Sequence, residues 1–261
     1  MVIANYTYDK NSGFVDLDSI PLDFKSIVEV LANKYNYDFD LMGPLKDKKE
    51  NNAAEGSPFF KYATRQGFIN SEDVKKSFNE ALKTLTGPEG KLKERKKKKI
   101  DSLVLYFLGH GLKIGSQDCL IGTTGKPTTV ESIKKTIQDA LKADNYNLEK
   151  CFIVMDCCRN TPPQGHKFEI EPQDAYEQSP DENMTLVYSA LEGSVAPDVA
   201  GKTMTSCLVK LLQKEDNIQV KDLQDKLNDI WDETQMEQSK RVEYTGAKVD
   251  RTPRSGTTKF P

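Results

Sequence analysis

Two short apolar runs, each followed by a chemically reactive residue, constrain the fold of this chain most. The first run, Leu103–Leu108, is followed by Gly109-His110-Gly111, and the second, residues 151–155, by Asp156-Cys157-Cys158-Arg159. Short runs rich in Val, Leu, Tyr and Phe are typical of strands buried on both faces of a parallel sheet. We therefore expect His110 and Cys158 beyond the carboxyl ends of two strands, where open α/β sheets place their chemistry.

The overall composition narrows the class of protein. The chain has 261 residues, which suits one large domain, and a formal net charge of −3. This near balance argues against a nucleic-acid-binding surface spread over the whole molecule. No apolar run approaches the roughly 20 residues of a membrane span, and the residues after Met1 lack the features of a signal peptide. Five cysteines without regular spacing favour a reducing compartment, and none of their spacings predicts a metal site.

Strand and helix patterns alternate along the chain. Further strands are predicted at residues 2–6, 37–42 and 186–190, and helices after Pro21, after Ser71, at Val130 and twice beyond residue 200. This alternation is typical of a mainly parallel central sheet, here of about six strands, with helices on both faces. No internal repeat or linker interrupts the pattern, so we expect a single domain.

A thiol and an imidazole at one sheet edge are a pair capable of nucleophilic catalysis. A free thiol has a pKa near 8.5, so only a small fraction is ionised at neutral pH without a base nearby. His110 and Cys158 are 48 residues apart, which is about one strand–helix–strand crossover. The glycines beside His110 allow close approach of a substrate and leave a backbone N–H for an oxyanion.

These motifs resemble the caspase-like cysteine proteases, the group of caspases, metacaspases and paracaspases. The resemblance rests on residues 106–111, Tyr-Phe-Leu-Gly-His-Gly, and on Asp156-Cys157-Cys158-Arg159, and it extends over nearly all of residues 1–261. It implies a caspase-like fold with a large-subunit-like part (1–160), an intersubunit-type loop (161–183) and a small-subunit-like part (184–261). It also implies dimerisation through the last strand, for which the segment ending at Phe260 is the candidate.

The resemblance assigns His110 as the acid and base and Cys158 as the nucleophile. Cys158 is followed by Arg159, as in caspases and paracaspases, whereas metacaspases usually carry His-Ser-Gly after the cysteine. Cys157 is then expected to point to the opposite face as a packing residue. Backbone N–H groups at Gly111 and Cys158 are the expected oxyanion hole.

Substrate preference is read from the acidic residues. Caspases bind an aspartate through arginines, and the loop at residues 9–23 contains no arginine. Paracaspases carry acids in three places, which Asp23, Asp156 and Asp198 match. Three carboxylates in one pocket would suit the guanidinium fork better than the Lys ammonium.

The sequence therefore predicts a cysteine endopeptidase of paracaspase type, which cleaves peptides after Arg and less well after Lys, without a cofactor or metal. The alternatives are a calcium-dependent metacaspase-like protease, an Asp-specific caspase and a non-catalytic scaffold that keeps the fold. We expect protein or peptide substrates, no nucleic acid or membrane partner, and a cytoplasmic location. The basic run at residues 91–99 is interpreted as a solvated surface segment, with a nuclear-import signal as the alternative.

Overall fold

The computed structural model describes residues 1–35, 37, 41–42, 70–86, 99–100, 102–143, 147–162, 168, 170, 184–236, 248–250 and 259–260. The helices are α1 (Ile20–Asn33), α2 (Ser71–Thr86), α3 (Val130–Ala143), α4 (Met204–Lys214) and α5 (Val220–Met236). The strands are β1 (Val2–Ala4), β2 (Leu41–Met42), β3 (Lys99–Ile100), β4 (Leu103–Leu108), β5 (Gly111–Ile114), β6 (Gln117–Ile121), β7 (Pro127–Thr129), β8 (Asn147–Leu148), β9 (Cys151–Asp156), β10 (Met184–Tyr188), β11 (Ile218–Gln219), β12 (Lys248–Asp250) and β13 (Lys259–Phe260). The basic run at 91–98 and most of the loop at 163–183 lie outside the described residues.

The central sheet has the strand order β12-β10-β9-β4-β1-β2. Its first five strands along the chain pair in parallel, and β12 is antiparallel to β10. The prediction of an α/β fold with a mainly parallel sheet and helices on both faces is confirmed. The two strands that precede His110 and Cys158, β4 and β9, are direct neighbours, and their last residues, Leu108 and Asp156, are partners in the ladder.

Two apolar cores explain why β4 reads as a continuous hydrophobic run. Val104, Tyr106 and Leu108 pack on the face covered by α1, α4 and α5. Leu105 and Phe107 pack on the opposite face, which α2 and α3 cover. Since both faces are buried, the strand has no polar alternation, and its carboxyl end lies between two apolar layers.

A second, three-stranded sheet of β5, β6 and β7 follows β4 directly. The sequence patterns did not predict it, because its strands are short and carry polar residues such as Lys113 and Asp118 on their partly exposed side. This antiparallel sheet packs beside the carboxyl end of β9, where the Lys113 N–H donates to the carbonyl of Asn160 at 2.9 Å. It therefore forms one wall of the region in which His110 and Cys158 lie.

Two predicted elements are described only in part by the structure. In the stretch predicted as a strand at 37–42, only Leu41–Met42 is a strand, and 38–40 lie outside the described residues. Of the segment ending at Phe260, the structure describes Lys259–Phe260, which pair with β11 of the same chain, with Ile218 opposite Phe260. The described strand at that edge of the central sheet is β12. Dimerisation and the division into subunit-like parts stay predictions.

Candidate active site

His110 lies two residues beyond the end of β4 and is half-buried. Its Nε2 is 2.8 Å from the carbonyl oxygen of Val15. A carbonyl can only accept, so Nε2 carries the hydrogen and Nδ1 is left as the basic nitrogen. The Val15 carbonyl thus fixes both the tautomer and the orientation of the imidazole.

Aromatic side chains enclose the imidazole. The ring of Tyr8 lies 4.9 Å and the ring of Phe14 5.0 Å from the imidazole, measured between centroids. The Tyr8 hydroxyl accepts the backbone N–H of His110 at 2.9 Å and donates to the carbonyl of Asn5 at 3.0 Å. Burial lowers the pKa of His110 below its ordinary value, opposed by the Val15 hydrogen bond and the charge of Asp198. The imidazole is therefore neutral at neutral pH and ready to accept a proton.

Cys158 lies two residues beyond the end of β9 and is the one half-buried cysteine, since the other four are buried. The backbone N–H of Ala196 donates to its Sγ at 3.3 Å. Burial raises the pKa of the Cys158 thiol, and the charges of Asp156 and Asp198 raise it further, against the effect of the Ala196 bond. Both shifts favour the neutral forms at neutral pH, a thiol at Cys158 and an imidazole at His110.

Gly111 connects the histidine and cysteine segments. A Cβ at this position would lie 2.5 Å from both the Cys157 Sγ and the Cys158 carbonyl oxygen. Only glycine allows this approach, because real Cβ contacts of that length do not occur. The N–H of Gly109 also donates to the carbonyl of Asp156 at 3.3 Å. The two segments therefore run side by side at the carboxyl edge of β4 and β9, as the sequence predicts.

Cys157, next to Cys158, lies in the apolar core. It is 5 % exposed and packs with the apolar core under α2 and α3. Burial raises the pKa of its thiol well above the ordinary value. This placement agrees with the expectation that Cys157 is a packing residue, and the catalytic role of Cys158 stays a prediction.

The three predicted acidic residues come from three different elements. Asp156 ends β9, and its Oδ2 accepts from the N–H and the hydroxyl of Thr205 at 2.9 and 2.6 Å, at the start of α4. Asp23 lies in the first turn of α1 and is 3 % exposed. Asp198 is exposed, and its Oδ1 accepts from the N–H and the hydroxyl of Ser19, just before α1.

The charges of these carboxyl groups act on one another. Burial raises the pKa of Asp23 to about 7, and the charges of Asp156 and then Asp198 raise it further, while the Thr203 side chain opposes them. Burial also raises the pKa of Asp156, with Asp198 adding to the effect. Within the described residues, Oδ2 of Asp23 has no hydrogen-bond partner. The cluster therefore contains a buried carboxyl group, that of Asp23, which has an oxygen without a hydrogen-bond partner and which is partly protonated at neutral pH.

Arg159, directly after the nucleophile candidate, has a role that the sequence did not reveal. Its guanidinium is buried, donates through Nε and Nη2 to the two oxygens of Asp118 at 3.0 and 2.9 Å, and lies 3.9 Å from the ring centroid of Tyr188. Its backbone N–H donates to the carbonyl of Ser194 at 2.9 Å. Arg159 thus ties the nucleophile segment to β6, to β10 and to the loop that follows β10.

The sequence also missed the groups that orient the candidate pair, namely Tyr8, the Val15 carbonyl and the Ala196 amide. Two of them act through the backbone and leave no residue-type signature. The spacing of Tyr8 and Phe14 in the loop after β1 offers a signal, since aromatics in a polar loop need a partner to pack on.

No group of three or more His, Cys, Asp or Glu side chains in the described residues has an arrangement that could hold a metal ion. In the same residues, every helix lacks the length or the apolar character that a bilayer span requires.

Comparison with known proteins identifies the family to which the chain belongs. No curated protein matches the chain. A family model, described as the caspase domain, matches residues 1–249 and so includes both strand ends, both apolar cores and all the site residues discussed above. The chain therefore belongs to the caspase domain family of cysteine peptidases, whose substrates are peptides and proteins.

Proposed function

We propose that this protein is a cysteine endopeptidase of paracaspase type that cleaves peptide bonds after Arg and, less well, after Lys. The observation that carries the proposal is the cluster of Asp23, Asp156 and Asp198 near Cys158. Each of these carboxyl groups comes from a separate element, and the charges of Asp156 and Asp198 act both on Asp23 and on the Cys158 thiol. Carboxyl groups gathered beside a nucleophile favour a substrate with a positive side chain before the cut, because a cation beside buried acids favours their ionised form.

In the proposed reaction, Nδ1 of His110 accepts the thiol proton of Cys158 while Sγ attacks the carbonyl carbon of the scissile bond. The backbone N–H groups of Gly111 and Cys158 stabilise the oxyanion. The imidazolium then donates its proton to the departing amine, and a thioester remains on Cys158. Water, losing a proton to His110, hydrolyses the thioester and restores the free thiol.

The unsatisfied Oδ2 of Asp23 supports Arg over Lys. A guanidinium has five N–H donors in a planar fork and can reach several carboxylates at once, whereas an ammonium acts as a compact point charge. A substrate with an acidic residue directly before the scissile bond would bury a charge without a partner, at a cost of roughly 3–5 kcal/mol. At about 1.4 kcal/mol per tenfold, such a substrate should be cut slower by at least about two to three orders of magnitude.

The test is a series of fluorogenic peptides that differ only in the residue before the cut, which is Arg, Lys, citrulline or Asp. Citrulline is the matched control, because it keeps the shape of Arg without its charge. We expect Arg to be turned over fastest, Lys more slowly, and citrulline about a hundredfold or more below Arg. Cys158→Ala should lower hydrolysis by several orders of magnitude.

The other outcomes assign the alternatives. Preferential turnover of the Asp peptide would move the protein to the Asp-specific caspases. Activity that disappears with a calcium chelator and returns with added calcium would make it a metacaspase-like enzyme. A folded protein that turns over none of the peptides, with Cys158→Ala identical to wild type, would be a scaffold.

A further inference from the structure

The side chain of Ser189 lies against the backbone of the nucleophile segment. Ser189 directly follows β10 and is fully buried. Its Oγ accepts the backbone N–H of Cys157 at 2.9 Å and donates to the carbonyl of the same residue at 3.0 Å. One hydroxyl therefore satisfies both backbone polar groups of the residue that precedes Cys158.

These hydrogen bonds stand where a strand ladder would otherwise continue. The parallel pairing of β9 and β10 ends with Met155 opposite Tyr188, and the Ser189 N–H still donates to the Met155 carbonyl at 3.0 Å. After Asp156, the last residue of β9, the backbone leaves the sheet, although Cys157 remains buried. Buried backbone groups without partners cost free energy comparable to a lost hydrogen bond, so their partners determine where the chain can turn.

The residues around Cys157 are held by the same region of the chain. The Oδ2 of Asp156 accepts from the backbone N–H and the hydroxyl of Thr205. The Ala196 N–H binds the Sγ of Cys158. Residues 156, 157 and 158 thus each have a partner between β10 and the first turn of α4, and the partner of Cys157 is Ser189.

We infer that Ser189 is a positioning residue for the nucleophile: its hydroxyl fixes the backbone of Cys157 and so places the Cys158 thiol for attack. This inference rests on the proposed protease function. A displacement of about 1 Å in a reacting group can cost about a hundredfold in rate, so the loss of this hydroxyl should lower the rate of chemistry and leave peptide binding largely unchanged.

The experiment compares the wild type with Ser189→Ala, with Ser189→Thr, which keeps the hydroxyl, and with Thr185→Val. Thr185 lies in the same strand, is 2 % exposed and is the matched control for removal of a buried hydroxyl away from the site. On the best peptide of the series, Ser189→Ala should lower kcat by about 10- to 100-fold and change KM by less than about threefold. Ser189→Thr should recover most of the rate, and Thr185→Val should match the wild type.

A second measurement does not depend on turnover. Cys158 is the one cysteine that is not buried, so iodoacetamide should modify it first, and mass spectrometry reports the rate at each pH. A displaced Cys158 loses part of its bond from Ala196, which lowers the thiol pKa in the wild type. The pH midpoint of alkylation should therefore rise in Ser189→Ala and stay unchanged in Thr185→Val.

The two proposals fail in distinguishable ways. A wild type that prefers the Asp peptide refutes the Arg specificity, while the Ser189 comparison is then made on that peptide. If Ser189→Ala keeps its kcat and its alkylation midpoint, the positioning role is refuted whatever the specificity. Equal losses in Ser189→Ala and Thr185→Val would also refute it, since they would show a general effect of removing a buried hydroxyl. If the wild type cuts no peptide, the alkylation midpoints alone decide.

Discussion

Replacing Asp23 with Asn should stabilise the protein at neutral pH while it weakens the preference for Arg. The pKa of Asp23 is raised from 3.8 to about 7 in the folded chain, chiefly by burial and next by the charge of Asp156. Between these values the unfolded chain has lost a proton that the folded chain still binds, so wild-type stability falls as the pH rises. Its contribution is complete below the unfolded pKa and is lost once the pH passes about 7.

The size of the effect follows from the same values. At about 1.4 kcal/mol per pKa unit, the difference between 3.8 and about 7 corresponds to about 4 kcal/mol. Asn cannot ionise and keeps a carbonyl for the bond from Thr203. The free energy of unfolding of Asp23→Asn should therefore equal that of the wild type near about pH 4 and exceed it by up to about 4 kcal/mol near about pH 8.

Urea unfolding of both proteins over this pH range measures the difference directly. Asp139→Asn on α3 is the control, because that carboxylate is half-exposed and pairs with Lys135 across one helical turn. A variant that is less stable than the wild type near about pH 8, or a difference that does not change with pH, would refute the reasoning. In the peptide assay, the ratio of Arg to citrulline turnover should fall about tenfold or more in the same variant.

Three further predictions concern the same site. KM for the Arg peptide should fall as the pH rises through about 7, because Asp23 must lose its proton to pair with the guanidinium; KM for the citrulline peptide should not follow this change, and identical profiles would contradict the assignment. Tyr8→Phe keeps the ring against the imidazole but loses the acceptor for the His110 N–H, so kcat should fall about tenfold with little change in KM; an unchanged kcat would show that the ring alone positions His110. Arg159→Lys loses the fork to Asp118 and the planar contact with Tyr188, and should lower the free energy of unfolding by about 3 kcal/mol in urea titrations; a change below about 1 kcal/mol would mean that the buried pair contributes little net stability.

Much of this arrangement could be predicted from the sequence because the strands concerned are buried on both faces. Leu103–Leu108 and Cys151–Asp156 read as uninterrupted apolar runs, and the positions of His110 and Cys158 follow from where those runs stop. The position of Asp156 could be predicted equally well, since it lies two residues before Cys158 in the sequence. These predictions needed no knowledge of contacts between distant residues.

The features that could not be predicted depend on contacts made through the backbone or on short mixed strands. The carbonyl of Val15 and the amide of Ala196 act through groups that every residue carries, so the side-chain types give no sign of them. The small sheet formed by β5, β6 and β7 has too few residues and too mixed a polarity for a period to stand out. The bond between Ser19 and Asp198 joins residues 179 apart along the chain, and no local pattern encodes such a separation.

The loop that follows β10 has a consequence for how this site can change. It supplies Ser189 and Ala196, which contact Cys157 and the Sγ of Cys158, and also Asp198, one of the three carboxyl groups proposed to bind the substrate side chain. An amino-acid exchange there would shift speed and selectivity together. Redesign toward a different peptide would do better to begin at Asp23, because this residue lies on a separate helix and affects the selectivity without contacting the nucleophile segment.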